Sequence, residues 1–496
     1  MAAGTAAQPD RAQPPSLTTG HIVYLIVSAA APLSAMIGTV PLAFAFGNAS
    51  GVPGAFAFAG LTLLCFSVGY AVIARRTGGA GGFYAAVADG LGRPSGVAGG
   101  YVALLAYNCA TIGLVGALGY FTSLVLDGHG IHIAWQLCSA VGIAAMAVLG
   151  YREISISAWT VAALMTGEIA ILLALDIVVI VKDGTAALPA VSFKPHTVFG
   201  PGFGVSLMFA FVSFIGFESA SLYGRETKDP KRSVPRATYI AVTLIAVFYA
   251  LTSWLAVGAI GTSALRRTAT EQMGNLFFDL GASYLGNSGN TVMQLLLCTS
   301  LFAAVLALHS AANRYAQALA EDGLLPRSLS TLHPRYSSPY RASVLQTGLC
   351  IVALVVFASA GLDPYTSMTT SMLGLGTLGI VLLQALAALS VLGLRLRRAP
   401  LGLWQGVVAP ALGFVGLAAT FWLALENFDL LTGATSGPIA ALPWVLLPVI
   451  AGGMGYAFWL RSARPDRYRR IAVDHVGGDN SPAGLQGDNA IQSSIR

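Results

Sequence analysis

Residues 213–237 read SFIGFESASLYGRETKDPKRSVPRA, an apolar run that is interrupted by Gly216 and Glu218 and then breaks into a burst of charge. Whether Glu218 is an ordinary carboxylate or an expensive buried one depends on the solvent around it. The rest of the chain identifies that solvent. Of the 496 residues 55% are hydrophobic and only 10% are charged, with a mean hydropathy of +0.72. Soluble domains carry about 25% charged residues, so this composition suits hydrocarbon. A membrane core about 30 Å thick is crossed by roughly 20 helical residues. Twelve apolar stretches of that order occur, at 22–46, 54–74, 94–126, 133–150, 154–181, 201–224, 236–261, 289–320, 341–360, 364–394, 403–425 and 438–460. The pattern predicts an all-α integral membrane protein of about twelve transmembrane helices.

The basic residues sort these stretches into a topology. With twelve spans, one side of the membrane holds all of the 27 Lys and Arg except Lys182, Lys194, Arg266 and Arg267. Such an excess marks the cytoplasm, so both termini are expected inside a plasma (inner) membrane. The net charge of +6 is then a topology signal and implies no nucleic-acid partner. Residues 1–20 lack the apolar core of a cleavable signal peptide. They read as a disordered cytoplasmic tail, and residues 463–496 as a second cytoplasmic tail, disordered beyond Arg470, around a transporter domain at 21–462. The five cysteines all fall within spans and are odd in number, which fits neither a disulfide framework nor a metal centre. Nothing in the pattern calls for a cofactor or a metal.

Two spans look broken. The first contains APLSAMIGTVPLAFAFG (31–47), with Pro32, Gly38 and Pro41 at mid-membrane depth, and the sixth contains the SFIGFES quoted above. Proline removes a helix hydrogen bond, and unpaired backbone in lipid costs several kcal/mol. Such breaks therefore face protein or a wet cavity. A kink packed by its neighbours would account for either one alone. Spans one and six are an odd number apart, however, so a duplicated five-helix unit (22–181 and 201–394) would insert the second time upside down. Matching breaks at the start of two inverted halves are the pattern of a secondary transporter with its site at the repeat interface. Residues 403–460 supply two further helices.

Three motifs carry a family resemblance. FIGFESASLYGRETKDPKRSVPRA resembles the sixth-helix signature of the amino acid, polyamine and organocation (APC) permeases. RRTGGAGGFYAAVADGLGRPSG (75–96) resembles that family's loop into helix three. HSAANRYAQALAEDGLLPRSLSTLHPRYSSPYRAS (309–343) resembles its helix-eight exit, with Asn313, Arg314, Asp322, Gly323 and Pro326 in place. The resemblance covers most of residues 20–460. It implies a five-plus-five inverted repeat with broken helices one and six plus two extra helices, and uptake or exchange of an amino acid or a polyamine. Many members carry Gly-x-Gly at the break of helix one, where free amides and carbonyls hold an amino acid's carboxylate and amine. This chain has Gly38, Thr39, Val40 and Pro41 there, which keeps a polyamine in play as substrate.

On this reading substrate is expected near Ala35, Met36, Ile37, Gly38, Thr39 and Val40 on one side and Phe214, Ile215, Gly216 and Glu218 on the other, walled by Asn108 and the outer half of the eighth span. Ionisable groups at membrane depth are functional candidates by default, so Glu218, Glu168 and His309 are the candidate proton carriers of a symporter. Each has a structural alternative: a carboxyl held by backbone donors at a break, or a hydrogen-bonded core histidine. In several proton-coupled relatives the region of Glu168 carries a lysine, so that role does not transfer. A membrane enzyme would need converging catalytic groups, and neither His-Glu-x-x-His nor Gly-x-Ser-x-Gly occurs. A channel or a transporter-like nutrient sensor would share a midplane site. The tails are too short for an output domain, which favours a carrier.

Overall fold

The computed structural model describes residues 18–77, 82–152, 158–218, 230–336, 338–396 and 401–472. Among these the secondary structure is helical, without a strand. Backbone in hydrocarbon must pair with itself, and helices do this within one segment. Among the described residues ten helical stretches are long and apolar enough to cross a membrane. Leu61, Val141, Ile177, Val247, Val352 and Trp422 lie exposed on the helices, as apolar side chains do when the surrounding solvent is lipid. The expected spans 133–150 and 201–224 are not among the ten. The first is an 18-residue helix whose apolar run is diluted by Trp135, Gln136, Tyr151 and Arg152 at its ends. The second is an 11-residue helix, and its expected continuation falls in residues 219–229, outside the described residues, as do Glu226 and the first half of the charged cluster.

The first span is two helices, α1 (Thr19–Ala29) and α2 (Pro32–Phe46). The break lies at Ala30–Ala31, where Ala31 takes a left-handed conformation (φ 46°, ψ 70°). It is not at Gly38–Pro41, through which α2 runs uninterrupted. Pro32 explains the position: its missing N–H and fixed φ suit the first turn of a helix, so α2 starts there. Pro41 sits inside α2 and removes one hydrogen bond without ending it.

The chain continues through α3 (Val52–Thr77), α4 (Gly82–Leu91), α5 (Arg93–Gly128), α6 (Trp135–Arg152) and α7 (Ala158–Asp183). The short α8 (Pro195–Val198) leads into α9 (Phe203–Ser213), the first half of the sixth span. After α10 (Pro230–Ile260) and α11 (Leu265–Gln272) comes α12 (Leu276–Glu321), whose helical geometry is interrupted at Gly286. Next are α13 (Tyr340–Ser359) and α14 (Thr370–Leu396), the latter entered through a π-helical turn at Pro364–Thr369. Last come α15 (Ala409–Glu426), the short α16 (Phe428–Thr432) and α17 (Gly437–Ala440), α18 (Leu446–Ala463) and α19 (Pro465–Arg470). The start of α5 and the ends of α6, α12, α14 and α18 carry Arg93, Arg152, Arg314, Arg395 and Arg461 at one end of the bundle, called here the basic end.

The C-terminal tail is packed against the bundle as far as Ala472, two residues into the stretch expected to be disordered beyond Arg470. The Arg93 guanidinium donates to the Arg469 carbonyl at 2.9 Å and lies over the Tyr468 ring. Asp322 Oδ2 accepts from the Tyr84 hydroxyl at 2.5 Å and from the Ala472 N–H at 3.0 Å. Ile471 and Ala472 are buried beside Tyr84 and Leu319. Residues 1–17 and 473–496, the rest of the expected tails, lie outside the described residues.

Candidate functional site

The two breaks meet in the middle of the bundle. α1 ends and α2 begins around Ala30–Ala31, and α9 ends at Ser213 in a turn that runs to Glu218. Ser213 Oγ and Thr39 Oγ1 are 2.9 Å apart, joining α9 to α2. Gly216 has φ +108°, a conformation that L side chains rarely adopt, and a Cβ there would lie 2.9 Å from the Ala29 carbonyl oxygen. Only glycine lets the second break lie against the first. Glu218 closes the turn: Oε2 accepts the Gly216 N–H at 3.0 Å, and Oε1 accepts the Tyr107 hydroxyl at 2.5 Å. Tyr107 in turn stacks on Tyr315 with ring centroids 5.1 Å apart. The quoted carboxyl therefore ties the unwound segment to α5.

Between the breaks lies a cavity of about 310 Å³. It is lined by Ala29–Ala31 and Ser34 of the first break, Ile215, Gly216 and Glu218 of the second, and faces of α5, α12 and α14. Towards the basic end it runs past Tyr315 to Arg314. At the opposite end stands Tyr365, 1% exposed, whose hydroxyl donates to the Gly38 carbonyl at 3.1 Å and whose ring stacks on Tyr120 at 4.7 Å. Tyr120 also lines a second hollow, of about 480 Å³, with Asp127, Trp135 and Asp363. The Tyr365–Tyr120 stack thus forms an aromatic layer running from Gly38, in the lining of the first space, to the lining of the second. Asp363 fixes that layer by accepting the N–H groups of Tyr365 and Thr366 at 2.9 and 2.6 Å.

Of the residues expected to meet substrate, Ala35, Gly38, Thr39, Ile215, Gly216 and Glu218 line this cavity. Met36, Ile37, Val40 and Phe214 are buried in packing and are absent from its lining. Asn108 is also absent from it and bonds back to the Leu104 carbonyl at 2.7 Å. Glu168 stands behind the first break: Oε2 accepts from Ser300 Oγ at 2.8 Å and from the Leu33 N–H at 3.4 Å. Ser34, which lines the cavity, is 2.8 Å from Ser300, so two hydroxyls connect Glu168 to the chamber. His309 is fully buried on another face of α12, its Nε2 2.9 Å from Ser343 Oγ, and does not line the cavity. The sequence pattern singles out neither the tyrosines 107, 315 and 365 nor the Ser34–Ser300 pair. Isolated hydroxyls on apolar helices carry no pattern, although Ser34 lay inside the quoted first-break stretch.

This fold defines a multi-pass helical membrane protein with a cavity at two helix breaks. The amino acid permease family profile matches residues 21–453, and the chain belongs to that family. Its members are permeases and transporters. An uncharacterized transporter of Mycobacterium tuberculosis is 28% identical over 403 residues, covering 79% of this chain and 83% of that protein. The branched-chain amino acid permease BcaP of Bacillus subtilis is 28% identical over 319 residues, 58% of this chain and 63% of the permease. The vacuolar cationic amino acid transporter 2 of Arabidopsis thaliana is 32% identical over 199 residues, 39% of this chain and 29% of the transporter.

Proposed function

We propose that the chain is a secondary active transporter that moves an amino acid across the plasma membrane by alternating access, as a proton-coupled symporter. The observation that carries this reading is the pair of abutting breaks beside one cavity. A helix N-terminus favours an anion and a C-terminus a cation. At the cavity the N-terminus of α2 faces the C-termini of α1 and α9, an arrangement suited to the carboxylate and the ammonium of one zwitterion. A polyamine, the alternative class, has no carboxylate to use the α2 terminus. The basic end is the cytoplasmic side on charge grounds, and the aromatic layer at Tyr365 is then the outer closure of an inward-facing state. Twelve helices in two inverted five-helix halves plus two form the frame of this reading, with α6 and the α9 region as the two shorter members. Glu218 and Glu168 are the candidate proton carriers. His309 is set apart by its burial against Ser343.

Uptake by the purified protein in liposomes, with an inside-alkaline pH gradient in sodium-free buffer, tests the proposal. Expected are saturable accumulation of a labelled amino acid, counterflow from preloaded vesicles, and collapse of accumulation on adding a protonophore. Linear flux would point to a channel, and binding without flux would indicate a sensor. Accumulation that requires sodium at constant pH would remove the proton from the proposal.

A further inference from the structure

We infer that the transported amino acid has a neutral aliphatic side chain and that α12 supplies the wall selecting it. This deepens the transport reading above and rests on it. On α12 the cavity is lined by Leu301, Ala304, Leu308 and Ala311, which recur at i, i+3, i+7 and i+10 and so share one face of the helix. Leu114 of α5 and Leu373 of α14 add to the wall, with Ala307 and Ser310 of α12 beside it. Among the described residues two charged ones line the cavity, Glu218 and Arg314. Both carboxylate oxygens of Glu218 accept hydrogen bonds from the protein, from Tyr107 and from Gly216. Arg314 continues this face one turn beyond Ala311 and thirteen residues beyond Leu301, about 20 Å from the latter at 1.5 Å per residue, and is exposed at the basic end.

A cationic side chain laid against this face would lose its hydration against alkyl groups, while the carboxylate in the lining, Glu218, is already engaged by Tyr107 and Gly216, and a charge in apolar surroundings is strongly disfavoured. The positive Arg314 at the mouth adds to that discrimination. An aliphatic side chain gains instead, since each methylene withdrawn from water raises affinity roughly fourfold. Ala304, partly exposed to the cavity, then sets the space available. Replacing it by leucine fills the wall without opening the packing behind it.

The experiment is binding by the purified full-length protein, read by the shift in thermal unfolding with ligand concentration, across glycine, alanine, valine, leucine, isoleucine, lysine, arginine and putrescine. The expected result is leucine or isoleucine roughly tenfold to a hundredfold tighter than glycine, with lysine and arginine weaker than either. In Ala304→Leu, affinity for leucine should fall at least tenfold while alanine loses little. Lysine or arginine binding as well as leucine would overturn the inference and leave the amino acid transporter standing. An equal loss of alanine and leucine in Ala304→Leu would also overturn the assignment of this wall. If no α-amino acid of any class binds, or only putrescine does, the proposed function itself fails.

Discussion

The two breaks solve the same problem by different chemistry. In the first span the helix stops because Pro32 starts a new one, and the connection runs through alanines; Gly38 is six residues beyond, inside continuous helix, where a Cβ would meet nothing within 4 Å. In the sixth span the helix stops at Ser213, the turn after it passes through Gly216, whose backbone only glycine adopts with ease, and Glu218 fastens that turn from within. The comparison teaches that a glycine at a broken span can serve the backbone or the cavity. Gly216 is needed so that two main chains can touch. Gly38 keeps space open.

The largest expected effect tests the backbone role. Gly216→Ala places a methyl against the Ala29 carbonyl and forces a positive φ on an L residue, a strain of about 1–3 kcal/mol before the clash is counted. The variant should unfold at a clearly lower temperature, or elute from size exclusion as aggregate. A native melting temperature would show that the two breaks can part without cost. Next in size is Glu218→Ala, which leaves the Gly216 N–H and the Tyr107 hydroxyl without their acceptor, at about 1–3 kcal/mol for each buried group left unpaired. Glu218→Gln keeps one acceptor and can still meet one donor, so it should regain most of the stability lost in Glu218→Ala while remaining deficient in pH-driven uptake. Glu218→Gln transporting with an unaltered pH profile would reduce Glu218 to a clasp and leave Glu168, behind its two serines, as the coupling candidate.

Gly38→Leu examines the other role. A helix-interior glycine replaced by leucine gains about 0.5–1 kcal/mol of helix propensity, and the space beside it is open. The protein should fold with an undiminished melting temperature yet lose ligand-induced stabilisation, because the new side chain occupies the chamber. Retained affinity would move the substrate away from Gly38.

Much of this was legible in the sequence, and the physical reasons for the rest can be named. Long apolar stretches report solvent, so membrane class and most span positions follow from composition. The sixth-span break was readable because glycine and a carboxylate in hydrocarbon have few other uses. In the first span three breakers stood in one stretch, and nothing in the sequence tells a proline that starts a helix from one that bends it. The break at Ala31 became visible only with the backbone. Met36, Ile37 and Val40 were named with Gly38 as a run, yet a helix turns about 100° per residue, so consecutive residues cannot all face one cavity. Tyr107 and Tyr365 act through partners distant in sequence, Glu218 and Gly38, and no local pattern records such pairings.

The smallest expected effect concerns the end of the chamber farthest from the basic end. Tyr365→Phe keeps the ring that stacks on Tyr120 and removes only the hydroxyl that binds the Gly38 carbonyl. That carbonyl lies one turn before Pro41, inside a helix where an acceptor can otherwise remain partly satisfied, so the loss is that of one neutral hydrogen bond, about 0.5–1.5 kcal/mol. If the aromatic layer closes the outer side, the bond exists only in the closed state. Its removal then shifts the population of open molecules by roughly twofold to tenfold. A cysteine introduced at Ala35, which lines the chamber, gives the readout: in right-side-out vesicles its labelling by a membrane-impermeant thiol reagent should accelerate by that factor in the Tyr365→Phe background, while the melting temperature changes little. The five native cysteines, all within the described helices, are controlled by labelling the same background without the added cysteine. An unchanged labelling rate would mean that the ring stack seals the outer side by itself and that the hydroxyl serves only to satisfy the Gly38 carbonyl. Access would then be governed by Tyr120 and Phe121, the latter edge-on to Tyr365 at 5.2 Å.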